Sequence, residues 1–320
     1  MALDRAAPRR SRSIWLLLAA VLCLYIIYML HDVYLLDLDS QLVHAPSPEL
    51  GGEVADRMRR LAVRSTWLKY ISLLLVAAVS FVARPAVGQL RRASLNQAAF
   101  AFTVVADAYI MLVDRQNLGI LIFCCAQITR VVLFGGRRRA VAPILCALGS
   151  LLVVLEFAPA LTPSMYGPHD GALIPELANW FRSGSNAPDP PLHSQLAVRN
   201  ALATAYAVLL LTAVLYSWRT SGELPRNASC HIAGRAERYA WRAGMLLFLA
   251  CDLNVLLFNL LPATSLLWRL ASVLMWFFYL PSQLLLALAP TRLTAGGSDL
   301  GSAEERRRLD GGPGTAEAGA

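Results

Sequence analysis

An all-α fold, a polytopic integral membrane bundle of about eight transmembrane helices, is what this sequence predicts, and three observations carry the prediction. Apolar runs of about 20 residues recur along the chain, the length an α-helix needs to cross a bilayer. The composition is 57% hydrophobic and 16% charged, with a mean hydropathy of +0.50, too apolar for an ordinary soluble domain. Arginines gather in the polar breaks between the runs, which is the pattern of the positive-inside bias.

Residues 1–13, MALDRAAPRRSRS, form a basic N-terminus, and residues 14–289 contain the eight expected spans. Ile14 to Leu36 is read as an uncleaved first span, because the apolar core is long for a signal peptide and no A-x-A-like site follows. Asp37 to Thr66 reads as a polar connection ending in the arginine-rich piece EVADRMRRLAVR, a solvated loop or an interfacial helix. Span two is Trp67 to Ala83 and carries Lys69, the one lysine of the chain. Spans three and four occupy Asn96 to Phe134 on either side of the break DRQN, and GGRRR leads to span five, Ala140 to Leu161. Thr162 to Leu196 is an extramembrane insertion in which Leu173 to Phe181 suits a short surface helix. Ala197 to Trp218, Ala240 to Leu261 and Ser265 to Ala289 complete the set. Pro281 is expected to free a carbonyl one turn earlier, near Phe277. Residues 290–320 are rich in Gly, Ser, Glu and Arg and read as a disordered tail. Eight spans place both termini on one side together with five arginine clusters, hence in the cytoplasm. The arginine and alanine bias suits a GC-rich bacterial genome and a bacterial cytoplasmic membrane.

The functional candidates are polar groups inside the apolar runs. A carboxylate at the centre of a membrane helix costs roughly 2.5–3.5 kcal/mol on insertion, so Asp107 must face protein or a wet cavity. Gln127 and Arg130 follow in span four. Span seven repeats the arrangement of span three: Asp107 and Asp252 lie 11 and 12 residues beyond the starts of their spans, about 17 Å along each helix. Each acidic helix is followed by a helix carrying a glutamine, Gln127 or Gln283. That parallel is compatible with a four-plus-four internal duplication. Asn254 and Asn259 add polarity near Asp252, and Tyr279 precedes Gln283 by one turn. Amides and hydroxyls also serve as interhelical glue, worth about 0.6 kcal/mol on average; two acids at one depth point instead to chemistry or proton relay.

Other classes have no support in the residues. No basic, aromatic-interleaved soluble domain exists to bind nucleic acid. Neither a CxxC nor a Cys/His spacing indicates a disulfide framework, a metal or a cofactor. Five of the six cysteines lie in apolar runs, where cysteine behaves as a small hydrophobe. Cys230 beside His231 is an isolated pair, and Asn227 begins a glycosylation sequon on the cytoplasmic side.

The runs FTVVADAYIMLV with LGILIFCCAQITRVVLF, and GMLLFLACDLNVLLFNL with FFYLPSQLLLAL, resemble the two Asp-helix motifs of the lysoplasmalogenase (YhhN-like) family of eight-span membrane proteins. Lys69 lies where that family often has a lysine, and the likeness covers about Trp67 to Ala289. Three positions mark a divergent member. Ala106 precedes Asp107 where the family usually has Gly, Gln127 stands where His is typical, and Arg130 where Tyr is common. The resemblance implies a membrane-embedded lipid hydrolase that opens the vinyl ether bond of lysoplasmalogens, giving a fatty aldehyde and a glycerophospho-base. In that scheme Asp107 and Asp252 are the catalytic pair, one protonating the vinyl ether and the other stabilising the cation and activating water. Gln127, Gln283, Tyr279 and Asn254 would orient substrate or water, and Lys69 would meet the phosphate or tune the acids. The implied partners are a lysophospholipid and the bilayer, with room for a homo-oligomer, and no cofactor is called for. The alternative is a non-enzymatic proton-coupled transporter or lipid-binding membrane protein.

Overall fold

In the computed structural model, residues 7–43, 48–83, 90–113, 115–161, 192–220, 231–262 and 265–291 are described. They form seven helices: α1 (Ala7–Val43), α2 (Pro48–Val82), α3 (Leu90–Met111), α4 (Gln116–Leu161), α5 (Leu192–Thr220), α6 (His231–Leu260) and α7 (Leu266–Leu288). Among the described residues six helices are long and apolar enough to cross a membrane, so the chain is an integral, multi-pass membrane protein. The expected insertion helix at Leu173–Phe181, the sequon with Cys230, and residues 292–320 of the tail lie outside the described residues.

The eight expected spans do not map one to one onto these helices. Spans four and five belong to a single element, α4, whose regular geometry is interrupted at Gly136, with φ 73° and ψ 164°. Glycine alone takes that left-handed φ without a Cβ penalty. The third expected span, α3, has the length but not the apolarity, because Asn96, Gln97 and Asp107 dilute it.

A second correction concerns Asp37 to Thr66. Its described residues are helical: α1 continues to Val43, and α2 begins at Pro48 and runs unbroken through the arginine-rich piece into the apolar half. Proline suits a first helical turn, while Glu, Ala, Arg and Met favour helix in the residues after it. Arg57, Arg59, Arg60 and Arg64 are exposed along it, and Arg57 stacks over the Tyr34 ring at 5.5 Å.

Successive helices pack against one another from α1 to α7, and α7 then returns to touch α1, α2 and, over a short stretch, α3. The ring closes around a polar interior. On α3 the buried residues Asn96, Ala99, Phe100, Thr103, Ala106 and Asp107 fall at helical spacing on one face. Helix α7 starts at Ser265, whose hydroxyl accepts from the Trp268 amide at 3.1 Å. Inside α7, Pro281 leaves the Phe277 carbonyl without its helical donor. The Tyr25 hydroxyl of α1 donates to that carbonyl at 3.2 Å.

Two glycines let helices approach. A Cβ on Gly244 of α6 would meet Leu286 Cγ at 2.9 Å and the Ser282 carbonyl at 3.3 Å, both on α7. A Cβ on Gly119 of α4 would strike Ile110 and come to 3.0 Å from the Ala106 carbonyl of α3. The close contact beside Asp107 therefore survives Ala106, because the glycine is on the partner helix. Hydroxyls of Ser72, Thr103, Thr129, Thr204 and Thr212 donate to carbonyls four residues earlier, which lets these residues sit in apolar helices. Many large apolar side chains face outward; α1 is covered least, with 17% of its most apolar window buried and Trp15, Leu16, Leu22, Ile26 and Leu30 exposed.

Candidate functional site

Five helices deliver side chains to the interior. Asp107, one turn before the end of α3, is buried and accepts a short hydrogen bond from the Tyr279 hydroxyl of α7. Asp252 on α6 is partly buried and accepts from the Tyr206 hydroxyl of α5 at 2.6 Å. Each acid is thus held by a tyrosine on a neighbouring helix, which fixes one carboxylate oxygen and leaves the carboxyl little rotational freedom.

Arg130 of α4 shares this interior, with 1% of its surface exposed. It donates through Nη2 to Gln283 Oε1 at 3.2 Å and to Thr103 Oγ1 at 3.4 Å, and its guanidinium sits 4.7 Å above the Phe248 ring. Its charge acts on both Asp107 and Asp252. One cation among two acids lowers the cost of keeping ionised groups out of water. Gln127, one turn before Arg130 on α4, donates to the Tyr206 hydroxyl at 3.4 Å. Gln127 and Gln283 are both fully buried. The helical spacing of Gln127 with Arg130, and of Tyr279 with Gln283, stacks these pairs on the inward faces of α4 and α7.

Of the residues singled out in the sequence, Asp107, Asp252, Gln127, Tyr279 and Gln283 meet in this network. Asn254 does not: its amide donates to the Ala250 carbonyl of its own helix at 2.7 Å. Asn259 bonds Val255 in the same way and is exposed. An asparagine that satisfies its amide on its own helix has no need of a partner across the bundle.

Lys69 also has another partner than expected. Its ammonium lies 2.7 Å from Asp32 of α1, with side chains 11% and 7% exposed. Ser65 donates to the other Asp32 oxygen at 2.7 Å. The ammonium faces the rings of Trp276 at 4.8 Å and Tyr28 at 5.9 Å, so it is paired within the bundle and does not snorkel. Trp276 in turn packs edge-on against Tyr279 at 5.5 Å between centroids. The lysine therefore adjoins the acid network through an aromatic wall and does not contact the aspartates.

Asp32 and Tyr206 were missed from sequence. Asp32 obeys the same rule that singled out Asp107, an acid inside an apolar run. Tyr206 gives no such signal, since a tyrosine in a membrane helix is unremarkable until its hydroxyl is found on a carboxylate. Among the described residues no group of His, Cys, Asp and Glu is arranged to hold a metal ion. No family model matches the chain, and neither a curated protein nor a solved structure matches it.

Proposed function

We propose that this protein is a membrane lipid hydrolase of the lysoplasmalogenase type, cleaving the vinyl ether of a lysophospholipid. The observation that carries the reading is the pair of aspartates, each fixed by a tyrosine hydroxyl from another helix, with the buried Arg130 tied to Gln283 in the same interior. Vinyl ether hydration begins when an acid adds a proton to the β-carbon, leaving an oxocarbenium ion. One aspartic acid gives that proton, and the other, ionised, faces the cation. Water then adds to the oxocarbenium carbon and yields a proton to the carboxylate. The hemiacetal so formed breaks its bond to the glyceryl oxygen, which takes up a proton, and the fatty aldehyde leaves. Tyr206 and Tyr279 keep the two carboxyl groups oriented through this cycle.

The eight-crossing topology belongs to the same proposal. Arg137, Arg138 and Arg139 directly follow the break at Gly136 and are exposed, and exposed arginines at the middle of a bilayer are costly. Helix α4 therefore emerges at its break and crosses twice, α3 supplies the remaining crossing, and both termini fall in the cytoplasm of a bacterial cell. Tyr216 of α5 supports the break by donating to the Arg139 carbonyl at 3.1 Å.

Aldehyde release from a lysoplasmenylethanolamine by purified protein tests the reading. Asp107→Asn and Asp252→Asn are each expected to lower turnover about a hundredfold or more while the protein remains monodisperse; native turnover in both variants refutes the assignment. Proton-coupled transport is the second reading, favoured by one observation: Asp252 is partly exposed whereas Asp107 is closed off. It requires pH-dependent flux in liposomes with no aldehyde formed.

A further inference from the structure

Three buried polar atoms beside the acids have no partner within the protein: Arg130 Nη1, Gln283 Nε2 and Gln127 Oε1. Their neighbours fix the character of each. Gln283 Oε1 accepts from Arg130 at 3.2 Å, so the other end of that amide is a donor. The Tyr206 hydroxyl gives its proton to Asp252 at 2.6 Å and therefore accepts from Gln127 Nε2 at 3.4 Å. That leaves Gln127 Oε1 an acceptor. Gln127 and Arg130 share one face of α4, and Gln283 is tied to Arg130, so two donors and one acceptor converge on the same interior.

Buried polar atoms are matched in nearly every protein, and an unmatched set beside reactive groups calls for a ligand. A phosphate or carboxylate answers the two donors but meets Gln127 Oε1 and two aspartates. An ammonium answers the acceptor but meets Arg130. A group that accepts two hydrogen bonds and donates one is an O–H.

We propose that Arg130, Gln283 and Gln127 form a hydroxyl-binding site beside Asp107 and Asp252. The inference deepens the hydrolase reading and rests on it for the identity of the substrate. The hydroxyl has two sources in that reaction. One is the water that captures the oxocarbenium ion; the other is the free sn-2 alcohol that distinguishes a lysolipid from its diradyl counterpart. In the second case the site is what makes the protein select lysolipids.

Two non-hydrolysable alkyl-ether lysophosphoethanolamines, one with the sn-2 hydroxyl and one deoxy at that carbon, separate the sources in detergent-purified protein. If the substrate alcohol fills the site, the hydroxyl probe binds about ten- to a hundredfold more tightly, as expected for hydrogen bonds involving a charged donor. Gln127→Leu then takes away the acceptor alone and lowers the preference by about two- to tenfold, with the hydroxyl probe weakened more than the deoxy probe. Gln127→Met repeats the test should the leucine variant not fold. If water fills the site, native protein binds both probes equally, and Gln127→Leu lowers turnover of the matching vinyl ethers by one common factor with KM unchanged. Equal probe binding together with native turnover in the Gln127 variants overturns the site. Failure of native protein to release any aldehyde overturns the hydrolase reading alone, because the probe comparison needs no turnover. No turnover and no probe preference overturn both.

Discussion

Replacing Lys69 by methionine strands the Asp32 carboxylate inside the bundle. In the native protein that carboxylate holds the ammonium at 2.7 Å and one further hydrogen bond from Ser65 at 2.7 Å, and both charged side chains are almost closed to solvent. Removing one partner of such a buried pair costs about 3–5 kcal/mol, because the survivor keeps its desolvation penalty without its counter-charge. The bond from Ser65 offsets part of this, and loss of the cation from the Trp276 face adds about 0.5–2 kcal/mol. The net cost remains about 3–5 kcal/mol, or two to three and a half orders of magnitude in the folding equilibrium. Asp32→Leu alone is expected to cost a similar amount by stranding the ammonium. The double variant Lys69→Met/Asp32→Leu replaces both charges by apolar groups and is expected to lie within about 1–2 kcal/mol of native. The interaction energy across the cycle is then about 3 kcal/mol or more. Denaturant titration of the four proteins in one detergent measures all of these terms. A single variant costing less than about 1 kcal/mol, with no interaction energy, would mean that the pair is solvated and that the packing of α1 on α2 argued above is wrong.

Tyr279→Phe and Tyr206→Phe each delete one hydrogen bond to an aspartate, and each is expected to lower turnover about ten- to a hundredfold and to cost about 1–3 kcal/mol of stability; unaltered rates in both would remove the tyrosines from the reaction cycle. Gly244→Val forces a side chain into Leu286 and the Ser282 carbonyl and should destabilise the protein by about 1–3 kcal/mol in thermal or denaturant melts. Gly149→Ala, on an exposed helical position with open space around its Cα, should instead stabilise it by about 0.5–1 kcal/mol. Turnover in deuterium oxide is expected to be slowed and to deliver one deuterium to the aldehyde carbon next to the carbonyl, read by mass spectrometry of the trapped product. Product without that label would exclude carbon protonation as the first step.

The hydrophobic runs by themselves determined that this chain is a multi-pass helical membrane protein, because an apolar stretch of span length has few other stable fates. The same logic exposed Asp107 and Asp252, since an acid in such a stretch must be answered by another part of the chain. Pro281 was equally legible: a missing amide frees a known carbonyl, and the Tyr25 hydroxyl took it. Helix limits at Asp37 to Thr66 were not legible, because hydropathy sees where a helix is apolar and is blind to a polar helix continuing beyond the membrane. The polar partners were likewise beyond it. Spacing along α6 cannot tell that Asn254 turns its amide back to Ala250, nor spacing along α2 that Lys69 meets Asp32 on α1. Those choices depend on which faces of separate helices approach, and that is decided only when the return of α7 against α1, α2 and α3 closes the bundle. The sequence thus determined which residues had to find partners in the dry interior, and the packing of the helices decided which partners they found.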